Sequence, residues 1–116
     1  MTLQRIGTGP RMSKAVVHGD TVYLSGQVAD KAKGGSVQEQ TKEILAIIDG
    51  LLAEAGTTKA NIISVNIWLA DIGTFAGMNS VWDAWVDSTQ APARATVEAK
   101  LAAPDYRVEI ACIAAK

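Results

Sequence analysis

Near its C-terminal end the chain reads Pro92-Ala93-Arg94-Ala95-Thr96-Val97-Glu98-Ala99-Lys100, an alternation with a period of two. On a strand, Ala93, Ala95, Val97 and Ala99 take one face, and Arg94, Thr96, Glu98 and Lys100 take the other. A guanidinium on such a face can grip a carboxylate through parallel N–H donors, and it stays charged at any working pH. A second alternation follows a turn at Pro104-Asp105, with Val108, Ile110, Cys112 and Ala114 in one set and Arg107, Glu109, Ala111 and Ile113 in the other. If the two strands pair as an antiparallel ladder, Arg94 and Glu109 project from the same side of the sheet. Arg94 is then either a ligand-binding group or one half of a structural ion pair with Glu109 or Glu98.

The rest of the chain has to position that side. Leu3 to Ile6 reads as a short first strand, punctuated by Gly7, Gly9 and Pro10. Ala15 to His18 and Val22 to Ser25 flank Gly19-Asp20, which predicts a hairpin with a tight turn. Gly26 follows, where a missing side chain permits close approach by a ligand or another backbone. Ser36 followed by Glu39 is a capping box, so a helix starts there. Its stripe is Val37, Ile44, Ile47, Ile48, Leu51, Leu52 and Ala55, and Gly56 stops it. Ile63, Val65, Ile67 and Leu69 alternate with Ser64, Asn66 and Trp68 in a long central strand. A second helix is predicted from about Thr74 to about Asp87, with Phe75, Met78, Trp82, Trp85 and Val86 on its apolar side. The order implies an α+β fold, a mixed sheet with two helices packed on one face, in a single domain over residues 1–116. Two helices cover only one sheet face. The other, with Arg94, Glu109, Tyr23 and apolar neighbours, is expected to be an interface or a ligand groove, and an oligomer with sites between subunits follows.

Composition narrows the function. The chain holds 11 Lys and Arg against 12 Asp and Glu, and only 5% of it is aromatic. That suggests neither a phosphate-neutralising surface nor a base-stacking platform, so no nucleic-acid partner is expected. No apolar run approaches the roughly 20 residues that cross a bilayer, so no membrane partner is expected either. Met1 to Gly9 lacks the apolar core of a secretory signal, and a soluble cytoplasmic protein is expected. With His18 as the sole histidine and Cys112 as the sole cysteine, neither a metal site nor a disulfide is expected.

Several short motifs, in this order and spacing, resemble the Rid proteins, also called the YjgF family. They are Ser25-Gly26-Gln27, Gln40-Thr41, Leu69-Ala70-Asp71, Phe75 with Met78-Asn79, Pro92-Ala93-Arg94 and Val108-Glu109-Ile110. The resemblance runs from about Arg11 to Ala115. It implies a chorismate-mutase-like fold, a homotrimer whose sheets enclose a barrel, and active sites in clefts between subunits. It also implies hydrolysis of reactive enamines and imines, such as 2-aminoacrylate, to 2-keto acids and ammonia, without a metal or cofactor. By the same resemblance Arg94 holds the substrate carboxylate and Glu109 assists the water or a proton transfer. Ser25, Gly26, Asn79 and Thr96 line the pocket.

Each role has a plainer alternative. Ser25 can merely hydrogen-bond its own turn, Asn79 can face solvent, Glu109 can balance a neighbouring arginine, and Cys112, Trp82 and Trp85 read as packing residues. The chain also departs from the family pattern. Met12 stands where many members carry Tyr, Thr96 where many deaminating members carry Cys, and Lys14 adds a charge near the expected cleft mouth. These departures mark a divergent subgroup. A non-catalytic trimer that binds small carboxylates is the second expectation, and a ribonuclease or translation inhibitor the third.

Overall fold

The computed structural model describes residues 2–116. Six strands, β1 (Leu3–Ile6), β2 (Ala15–His18), β3 (Thr21–Leu24), β4 (Ile62–Leu69), β5 (Ala93–Glu98) and β6 (Val108–Ala115), form one sheet in the order β1-β2-β3-β6-β4-β5. Helices α1 (Val37–Glu54) and α2 (Phe75–Trp85) cover one face of it. The mixed α+β class and the single-sided helix layer are as expected. Among the described residues no helix is long and apolar enough to cross a membrane.

The capping box at Ser36 forms as the sequence predicts: its hydroxyl accepts the Glu39 N–H at 3.1 Å, and the Glu39 carboxylate reaches back to the Ser36 N–H at 3.4 Å. The helix ends before Gly56, whose φ of 87° is open to glycine at no steric cost. Its buried stripe is wider than the periodicity suggests, because Leu45, Gln40 and Thr41 are also enclosed. Gln40 can be buried because its amide is fully used. It donates to the carbonyls of Gly35 (3.2 Å) and Asp105 (2.9 Å) and accepts the Arg107 N–H (2.8 Å). One side chain thereby fixes the segment that leads into β6. The second helix is shorter than predicted; a 3-10 turn at Ile72–Thr74, with Asp71 accepting the Gly73 N–H, precedes it.

The β5–β6 ladder that the two alternations allow does not form. Strand β4 lies between them, parallel to β5 and antiparallel to β6. The connection explains this: β4 and β5 are joined through α2, a helical crossover suited to parallel neighbours. β6 then fills the slot between β3 and β4, which keeps the long apolar β4 in the sheet interior. The register settles the faces, since residues directly opposite on adjacent strands share a face. Val65 stands opposite both Arg94 and Cys112, whereas Trp68 stands opposite both Val97 and Glu109. Val65 and Cys112 are buried beneath the helices. Arg94 therefore lies on the helix side of the sheet and Glu109 on the open side. The expectation that they share a side is wrong for one chain.

Beneath the helices sit Val22, Leu24, Val65, Ile67, Leu69, Val108, Ile110, Cys112 and Ala114, against Ile44, Leu45, Ile48 and Leu52 of α1 and Met78 and Trp82 of α2. Burial pushes the Cys112 thiol up to about 12, as fits an inert core residue. The open face instead leaves Val97 51% and Tyr23 45% exposed beside half-buried Trp68, Glu109 and Ile113. His18 is exposed near the Gly19 turn.

Candidate functional site

On the helix side, at the sheet edge, α2 builds a socket for Arg94. Phe75, Asn79 and Trp82 recur at spacings of four and three, so one helix face presents all three. The Arg94 guanidinium donates to Asn79 Oδ1 at 2.7 Å, and its central carbon lies 5.7 Å from the Phe75 ring centre and 5.2 Å from that of Trp82. Aromatic faces hold a guanidinium by cation–π attraction while leaving donors free, so the group is positioned yet unspent. Structural pairing with Glu98 is not what occurs, because that carboxylate accepts the Ile72 N–H at 3.0 Å. Thr96 shares Arg94's face, but its hydroxyl is enclosed and has no hydrogen-bond partner.

On the open side, Gln27 and Ile110 exchange backbone hydrogen bonds of 2.8 and 3.1 Å, which lays residues 25–27 along β6. The Glu109 carboxylate folds over Gly26, where a Cβ would stand 2.9 Å from the carboxyl carbon and 3.2 Å from Cγ. Burial there raises the Glu109 pKa above the usual carboxylate value. A cleft of about 260 Å³ opens beside it, walled by Trp68, Ala99, Lys100, Leu101 and Ala102. Ser25 is occupied locally. Its N–H and its hydroxyl both donate to the Lys14 carbonyl, at 3.0 and 3.1 Å, and its oxygens accept the Gln27 amide.

The six candidate residues thus fall into two groups. Ser25, Gly26 and Glu109 meet on the open face; Arg94, Asn79 and Thr96 meet on the helix face. Met12 is 52% exposed, and the Lys14 stem lies along Gly7, whose Cβ position is 2.9 Å from Lys14 Cγ. Among the described residues no cluster of three or more His, Cys, Asp or Glu gathers to hold a metal. The sequence reading missed two parts of the site. Phe75 and Trp82 serve as the platform for Arg94, for which helical spacing was the available signal. Trp68 is the Glu109 wall, and its signal was a large aromatic in the polar phase of β4.

The sequence matches the family described as Endoribonuclease L-PSP over residues 2–116. It is 47% identical over 114 residues to a RutC family protein of Haemophilus influenzae, covering 98% of each chain. It is 43% identical to the RutC family protein YoaB of Escherichia coli, covering 99% of each. Among solved structures, it is similar to a member of the YjgF family from Neisseria meningitidis with a TM-score of 0.96 at 46% identity, covering 100% of this chain and 96% of that one.

Proposed function

Because the chain belongs to the YjgF/Rid family that the Endoribonuclease L-PSP description covers, we propose that it hydrolyses reactive 2-imino and enamine acids to 2-keto acids and ammonia. The observation that carries this reading is a guanidinium held in place by an amide and two aromatic faces, with no carboxylate among the described residues paired to it. Such a group is ready for a substrate carboxylate. An imine carbon is already electrophilic, so the remaining work is to place one water and move protons. Glu109, whose burial holds its pKa above the usual carboxylate value, is the group placed to take up and return such a proton.

Because Arg94 and Glu109 occupy opposite faces of one sheet, this reading places each site between two copies of the chain. The Arg94 edge of one copy meets the Gly26–Glu109 surface of the next. A homotrimer with open faces turned inward meets that demand and also covers Val97 and Tyr23. A cytoplasmic place of action belongs to the same reading.

The test is ammonia and keto-acid release when an amino-acid oxidase generates imines in place, for wild type and Arg94→Ala, with mass measured by sedimentation. Acceleration lost in Arg94→Ala is expected. Well-folded wild type that accelerates no imine over buffer leaves a binder of small carboxylates, the reading that Met12 favours by offering no hydroxyl at its position. The name endoribonuclease in the family description, and the name translation initiation inhibitor given to a similar Salmonella typhimurium structure, find little support in a net charge of −1.

A further inference from the structure

A second cleft lies on the outer side of the helix layer, across the sheet from Glu109. The two helices run in the same direction: near their starts Gly77 packs against Val37 and Gln38, and near their ends Trp85 donates its indole N–H to Asp49 Oδ2 at 2.9 Å. At Gly77 the fit is tight, since a Cβ would stand 2.8 Å from Gln38 Nε2 and 3.0 Å from Val37 Cγ1. Further along, α2 presents Ser80, Val81, Ala84 and Trp85, and the facing surfaces leave a space of about 450 Å³. Leu45, Val81 and Ala84 give it an apolar floor; Lys42, Lys59 and Trp85 stand around it.

Lys59 is the distinctive part. It is half-buried, donates to the Trp85 carbonyl at 2.6 Å and lies 5.1 Å from the centre of the Trp85 ring. An ammonium has three donors, and this bond uses one. The nearby acids are engaged elsewhere. Asp49 holds the Trp85 indole, and Asp87, which feels the Lys59 charge, accepts the Thr89 N–H and hydroxyl at 3.0 and 2.7 Å. The chain Asp49–Trp85–Lys59 therefore sets one fixed cation at the rim of an apolar, ligand-sized cleft, with exposed Lys42 as a second.

We propose that this interhelical cleft binds a small organic anion with a flat apolar body, of which an aromatic carboxylate is the simplest case. The body rests on Leu45, Val81 and Ala84 beside the Trp85 ring, and the anionic end meets Lys59. A part-desolvated ammonium contributes more to such a contact than an exposed one, because there is less water to screen it.

The probe is benzoate, with benzamide as its uncharged counterpart, titrated into the full chain while the Trp85 indole N–H is followed by NMR, assigned with Trp85→Phe. A saturable shift is expected with benzoate and not with benzamide. It should persist in Lys59→Arg and in Arg94→Ala, and weaken about tenfold in Lys59→Met, as for loss of one charged hydrogen bond. No saturation, equal response to benzamide, or disappearance in Arg94→Ala overturns the proposal; the last would put benzoate at the arginine socket instead. Where Lys59→Met fails to fold, Lys42→Met replaces it, and unaltered benzoate binding there counts against the cleft. None of these outcomes depends on whether the chain hydrolyses imines.

Discussion

Gly26 and the Glu109 carboxylate occupy what would be the same space if residue 26 had a side chain. The Gln27–Ile110 bridge pins the glycine there, so the carboxylate must yield if a Cβ is added. Gly26→Ala is therefore expected to destabilise by about 1–3 kcal/mol through overpacking. It should slow imine hydrolysis by roughly a hundredfold through misplacement of the reacting group. Urea unfolding and turnover measured on one preparation separate the two effects, and full turnover in the variant would remove Glu109 from the mechanism.

Asn79 holds one end of Arg94. In Asn79→Ala the rings of Phe75 and Trp82 remain but the hydrogen bond is gone, so the guanidinium samples more orientations. KM is expected to rise about tenfold with kcat little changed, since the carboxylate is bound alike in ground and transition states. Arg94→Lys, which keeps charge but loses the parallel donors, should cost more.

Burial raises the Glu109 pKa in the folded chain. The folded state thus resists losing this proton more than the unfolded state does. The stability it contributes is present at acid pH, below the unfolded value, and is lost as pH rises through the folded one. Glu109→Gln removes the penalty of burying a charge. The variant is expected to be more stable than wild type at neutral pH, with the gain vanishing in acid, while turnover falls. Thermal unfolding across that range checks the sign.

The enclosed, unpartnered Thr96 hydroxyl makes an equally direct test. If it stays enclosed when substrate binds, Thr96→Val should be neutral or stabilising by about 1 kcal/mol, with activity kept. A large drop in kcat/KM in that variant would show instead that the hydroxyl turns toward substrate.

Much of this arrangement was legible in the sequence because local rules governed it. Ser36 and Glu39 cap α1 as their spacing predicts, Gly19 makes the hairpin turn, and alternation in β4 marks a central strand. The neighbours of β5 and β6 were not legible, because their alternations suit either neighbour equally. The crossover through α2 and the need to enclose β4 decide them, and both are properties of the whole sheet. That single misreading carried Arg94 to the wrong face. The clamp made by Gln40 was not legible either, since its partners lie at residues 35, 105 and 107. No local pattern reports a bond across 65 positions.

The opposed faces of Arg94 and Glu109 have a genetic consequence. If every site draws its arginine from one copy and its glutamate from another, two dead alleles can rescue each other. Arg94→Ala and Glu109→Ala chains, each inactive alone, would regain activity when unfolded together and reassembled as mixed oligomers. In a random one-to-one mixture roughly a quarter of the sites would draw both groups intact. Complementation of that size would mark the interface as the unit of function; silence from well-assembled hybrids would place the whole chemistry within one chain.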